Sequence, residues 1–159
     1  MSDINEPEEE TNRPPFKVAG LATIKHLNVR KEGPEDEKIL AVDVKIEFHQ
    51  ISKNICNYFD EALINFLWMG SSDALMVRNL FLEPLKYCTE ITDAIVTIDD
   101  KEFHGCRLGK FCIQPRESGY VDLVLSKAMY PSASEVSRLA NLVQDGAQIS
   151  IETQPDLFS

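Results

Sequence analysis

Several absences set the first limits on this chain. It has no Gly-rich phosphate loop and no C-x-x-C pair among its four cysteines. The first absence removes the nucleotide-binding motif in which backbone N–H groups cradle phosphates. The second removes the usual frame of a structural zinc site, which needs two close ligand pairs. There is no long apolar run. The longest, ALINFLWMG, is far shorter than the roughly 20 residues of a membrane-spanning helix. The first residues are acidic, with neither the positive nor the apolar segment of a secretory signal. The expectation is a cytoplasmic protein with no membrane role, whose Cys56, Cys88, Cys106 and Cys112 are reduced and mostly packed as small hydrophobes. Internal repeats are also missing.

The 159 residues suit one domain, and a hydrophobic fraction of 43% can fill a core. The formal charge is -10, but Asp3, Glu6, Glu8, Glu9 and Glu10 supply half of it. That balance argues against a broad basic surface for duplex DNA, and leaves room for a local basic groove. The reading divides the chain into a disordered acidic leader over 1–14, a domain over 15–152 and a docking tail over 153–159.

Within the domain, FKVAGLATIKHLNVRKE predicts a strand bulged near Gly20. The run from Leu40 to His49 alternates apolar and polar residues, so it predicts a strand with one buried and one wet face. The Gly-Pro-bearing loop between them suggests a hairpin. Residues 54–69 shift to helical period, with Ile55, Phe59, Ala62, Leu63, Phe66 and Leu67 on one stripe, Asn54 as cap and Gly70 as stop. Residues 73–90 read as a short strand and a loop. TDAIVTIDD, KEFHGCRLGKFCIQPRE and GYVDLVLSKA predict three more strands. Ser132 and Glu135 form a capping box for a second helix, and AQISIE is a last strand. The fold class expected is α+β and β-rich. It is a mostly antiparallel curved sheet, sandwich or partly open barrel with two amphipathic helices.

Candidate chemistry is sparse. His104, Cys106 and Cys112 lie within nine residues and share a parity, but buried strand cysteines are more often core, so no metal and no cofactor is expected. No sharp turn or oxyanion hole accompanies any Cys-His pair, which argues against an enzyme and leaves no catalytic residues to name. Single-strand binding needs a basic groove with stacking aromatics. The candidates are Lys25, Arg30 and Lys31 on the first hairpin, with Lys17 and Lys38 nearby, and Arg107, Lys110, Phe111 and Arg116 further on. The alternative is ordinary surface charge, with Phe111 in the core.

The sharpest feature is QPDLF. Gln154-Pro155-Asp156-Leu157-Phe158 resembles the Q-x-x-L-F peptide by which bacterial DNA polymerases and repair proteins dock on the sliding clamp. The resemblance implies that Gln154 enters a polar subsite and that Leu157 and Phe158 fill an apolar pocket, with Asp156 matching the acidic residue common before the Leu; the alternative is a chance match whose Leu157 and Phe158 pack back on their own domain. Buried apolar anchors dominate such short peptides, and Pro155 lowers the cost of ordering one. The stretch LATIKHLNVRKEGPEDEKILAVDVKIEF, continuing through CRLGKFCIQPRESGYVDLVLS, resembles small uncharacterised phage and prophage proteins. That resemblance implies an origin and carries over no residue roles. The function expected is a non-enzymatic phage-type DNA replication or recombination accessory protein. It would be tethered to the sliding clamp of the bacterial host, with single-stranded DNA as a second partner. The alternative is an acidic phage inhibitor that binds a host DNA-processing enzyme, as an anti-defence or host-takeover protein.

Overall fold

The structure is a computed structural model that describes residues 14–71, 74–80 and 82–153. Most of the acidic leader, and all of Gln154–Ser159, lie outside the described residues. The elements run β1 (Lys17–Glu32), β2 (Ile39–Ser52), α1 (Cys56–Phe59), α2 (Leu63–Leu67), β3 (Trp68–Met69), β4 (Met76–Val77) and β5 (Leu85–Tyr87). They continue with β6 (Ile91–Ile98), β7 (Lys101–Arg116), β8 (Tyr120–Met129), α3 (Ala133–Asn141) and β9 (Gly146–Thr153).

Strands pair antiparallel in the order β5-β7-β6-β9-β1-β2-β8, and β8 also pairs β7. The sheet therefore curls into a ring. It does not close as a barrel, because β7 gives its first half to β6 and its second half to β8. The two pairings overlap only at Arg107 and Leu108. This is the β-rich, curved antiparallel sheet that the alternating strands imply. β2 buries Val42, Val44, Ile46 and Phe48 and turns Lys45 and His49 to water, as its pattern requires.

The bulge in β1 lies between Ile24 and His26 rather than near Gly20, which pairs regularly with Ile149. The carbonyl of Ile24 accepts the backbone N–H of Gln144 (2.7 Å), and that of Lys25 accepts the side-chain amide of Gln144 (2.9 Å). Backbone groups turned aside at the bulge thus find partners in the segment after α3.

The helix expected over 54–69 is broken. A 3-10 turn at Lys53–Ile55 is capped by Ser52, whose hydroxyl accepts the Asn54 N–H, so Asn54 is not the cap. Asp60 then leaves the helix in extended backbone, and its carboxylate accepts the Ala62 N–H at 2.8 Å. That local bond competes with helix continuation and splits the apolar stripe into α1 and α2. The capping box on α3 is present in both directions between Ser132 and Glu135.

The two helical units cover opposite ends of the ring. β2 leads into α1 beside the start of β8, where Ser52 pairs Tyr120, and β8 leads to α3 beside the start of β2, where Met129 pairs Val42. At the α1 end an aromatic group of Phe16, Tyr58, Phe59, Tyr87 and Phe111 packs at 4.6–6.4 Å between ring centroids. Trp68 pins the excursion between β2 and β6 to the ring by donating its indole N–H to the Arg116 carbonyl at 2.7 Å. Among the described residues no helix is long and apolar enough to cross a membrane.

Candidate functional site

The outward face of β1, β2, β8 and β7 collects most of the charge chemistry. Register fixes which residues share it. His26 stands beside Lys45, Lys45 beside Ser126, and Ser126 beside Gly109. One row along, Asn28, Asp43, Ala128 and Arg107 line up. At the α3 end Arg30 grips Asp43 through two guanidinium N–H groups (2.7 and 3.1 Å) and also reaches Glu32. Arg30 in turn holds the carboxyls of Asp43 and Glu32 below their ordinary values, with the Tyr130 hydroxyl a lesser cause at Glu32 and the charge of Lys110 a lesser cause at Asp43. The Tyr130 hydroxyl donates to Glu32 (3.1 Å) and accepts from Arg107 (3.4 Å). At the other end Arg116 binds Asp122 (Nε 2.8 Å, Nη2 2.6 Å), and Lys25 approaches Glu47 at 3.4 Å.

Lys25, Arg30, Lys45, Arg107, Lys110 and Arg116 thus share the face with Glu32, Asp43, Glu47 and Asp122. Six cations and four carboxylates lie in these rows, with the Glu90 side chain also against Gly109, on a chain whose formal charge is -10. Tyr120 (45% exposed) and Tyr130 (42% exposed) stand at its two ends.

Of the basic residues singled out from sequence, Lys25, Arg30, Arg107, Lys110 and Arg116 come together here. Lys31 does not. It alternates to the opposite side of β1 from Arg30 and pairs Leu40. Phe111 cannot stack a base, because it is fully buried between Phe16 and Phe59. The bulge before Cys112, with Lys110 at φ 54°, reverses the alternation and turns Phe111 inward while Lys110 stays exposed.

His104, Cys106 and Cys112 do not assemble. Gly105 sits at φ 66° between the first two, so His104 is exposed beside Glu102 while the Cys106 thiol is buried against the Phe103 carbonyl. Burial pushes the Cys106 thiol up, and takes that of Cys56 to about 12, so both behave as apolar packing. Cys88 departs from that expectation and is exposed.

The sequence reading missed a different cluster. Glu47, His49 and Asp122 place one donor atom each within 4.8 Å of one another. Two carboxylates and an imidazole suit a divalent cation. Asp122 is oriented by the Gln50 N–H (2.9 Å), where Gln50 takes φ 54° at the bulge in β2. Arg116 already neutralises Asp122 and Lys25 already faces Glu47, so the carboxylates have cationic partners from the chain itself. Glu47 and His49 share the wet parity of β2 and were legible as neighbours. Asp122 reaches them only through the pairing of β2 with β8, which no local pattern encodes.

No protein-family model, curated protein or solved structure matches this chain.

Proposed function

We propose that this is a non-enzymatic accessory protein of phage-type DNA replication or recombination, held on a bacterial sliding clamp through Gln154, Asp156, Leu157 and Phe158. Its β1-β2-β8-β7 face binds single-stranded DNA. The observation that carries this reading is the gathering of six cations between two exposed tyrosines on an otherwise acidic chain. A basic sheet face with exposed aromatic rings is the chemistry that tracks a single strand. β9 runs to Thr153, whose N–H donates to the Phe16 carbonyl at 3.1 Å, so the docking peptide follows directly on ordered backbone. Tethering raises local concentration and relieves the face of any need for high intrinsic affinity.

The test has two arms. Removing residues 154–159 should abolish capture of the purified clamp while leaving the unfolding transition unchanged. Anisotropy of a labelled oligothymidine should report salt-sensitive binding that survives this deletion. Clamp capture undiminished by the deletion would sink the tether, and no oligonucleotide binding at low salt would sink the face.

A second reading draws on the four carboxylates interleaved with those cations. A mixed face bearing Tyr and Arg is also the chemistry of a protein interface. On that reading the protein is an inhibitor that occupies a host DNA-processing enzyme by charge complementarity. Absence of DNA binding together with capture of such an enzyme selects it.

A further inference from the structure

Lys127 stands on the apolar parity of β8, between Leu125 and Met129, both fully buried. Its register neighbours are Val44 on β2 and Leu108 on β7, which face the same interior. A lysine stem usually lets its ammonium reach water. Here the residue is 2% exposed and Nζ has no hydrogen-bond partner. What it does meet is the ring of Phe103, with Nζ 5.4 Å from the centroid.

The groups facing it are few. β7 contributes the neutral Cys106 thiol, which donates to the Phe103 carbonyl. At its register positions β2 and β7 contribute the apolar Val44 and Leu108. Phe103 also borders a cleft between α3 and the β6–β7 turn, lined by Ile98, Asp99, Lys101, Glu135, Arg138 and Leu139 among others. Lys101 and Glu135 close on each other across that cleft at 2.7 Å. An ammonium sealed among apolar side chains with no anion is costly, so burial brings the amine down to about 7. Near neutral pH a large share of Lys127 is a free amine whose lone pair is engaged by no donor.

We propose that Lys127 is a reactive amine that captures small apolar aldehydes or ketones as an imine, with the carbonyl compound entering beneath α3 past the ring of Phe103. Desolvated lysines in apolar surroundings are activated for this chemistry. The Nζ lone pair adds to the carbonyl carbon, and the carbonyl π pair moves to oxygen, which takes a proton from nitrogen. The nitrogen then gives up its second proton as its lone pair forms the C=N bond, and the carbinolamine hydroxyl leaves with that proton as water. One carbonyl compound enters and one water leaves, so no oxidant or reductant is consumed. Over this path α3 is held by the buried Leu139 and the Lys101–Glu135 pair.

The test treats the full chain with butanal and cyanoborohydride, which reduces the imine, and maps adducts by peptide mass. At pH 7 the Lys127 adduct should form at least about tenfold faster than adducts at the exposed Lys31, Lys38 and Lys86. Its rate should rise through pH about 7 and then level, while those of the exposed lysines keep climbing. Phe103→Ala should speed the reaction, and Lys127→Met should remove the fast adduct. The proposal is overturned if Lys127 reacts no faster than the exposed lysines in both the natural chain and Phe103→Ala. It is equally overturned if the adduct forms only as fast as the Leu125 amide exchanges through global unfolding.

Discussion

A lysine in place of a leucine on the inner face of β8 costs stability by an amount that depends on pH. Lys127 has an ordinary value of 10.5 unfolded and about 7 folded. Between those values the unfolded chain binds more protons, so stability rises with pH across that window. Below pH 7 the penalty is fully present, and above about 10.5 it is gone. Lys127→Met should therefore stabilise the fold at pH 6, by on the order of 2–4 kcal/mol, and the gain should shrink steadily toward pH 10. Urea unfolding at three pH values reads this directly, and a gain independent of pH would refute the assignment of cost to charge. Phe111 makes the opposite case, since it fills the aromatic group rather than meeting a ligand. Phe111→Ala should cost about 3–5 kcal/mol, measured by the same unfolding. Position in sequence disclosed part of this. Lys127 sits visibly on the parity of Val121, Leu123 and Leu125, whereas Phe111 is turned inward by a bulge between Gly109 and Cys112, where Lys110 takes a positive φ that its residue type does not announce.

Elements were legible where one local rule acted alone. β2 followed from strict alternation, and α3 from its capping box. Ser132→Ala removes the oxygen that accepts the Glu135 N–H and should cost about 1 kcal/mol in thermal or urea unfolding. The stretch after β2 failed because two rules competed there. Its apolar residues keep helical spacing, but the Asp60 carboxylate captures the Ala62 N–H and ends the helix between them. The same excursion depends on a bond that no pattern predicts, from the Trp68 indole to the Arg116 carbonyl 48 residues away. Trp68→Phe keeps most of the buried ring, loses that donor and leaves the carbonyl unmatched. A loss of about 1–3 kcal/mol is expected, with faster amide exchange across β3 and β4 and little change in β1. The candidate site was half legible for the same reason. Individual basic residues are visible in sequence, but their gathering on one face depends on registers among four strands.

At the scale of the whole molecule, charge is unevenly spread. If the outer face tracks a single strand, binding should weaken with salt. Replacing both Arg107 and Lys110 by Ala should then lower the magnitude of the log–log salt slope by about 1.4, roughly 0.7 for each phosphate no longer neutralised. An unchanged slope with weaker binding would assign those residues to something other than phosphate. The ring itself carries a different implication. β9 is the last strand of the sequence order, yet it lies between β1 and β6 and pairs with both. Until residues 146–153 are made, β1 and β6 each lack the neighbour that β9 supplies along one edge. Joining β1 to β6 therefore waits for β9. The nascent chain passes through an interval in which two unpaired edges invite pairing with other chains. The segment that ends this interval leads straight into Gln154, so the peptide proposed to dock on the clamp is made directly after the strand that completes the sheet.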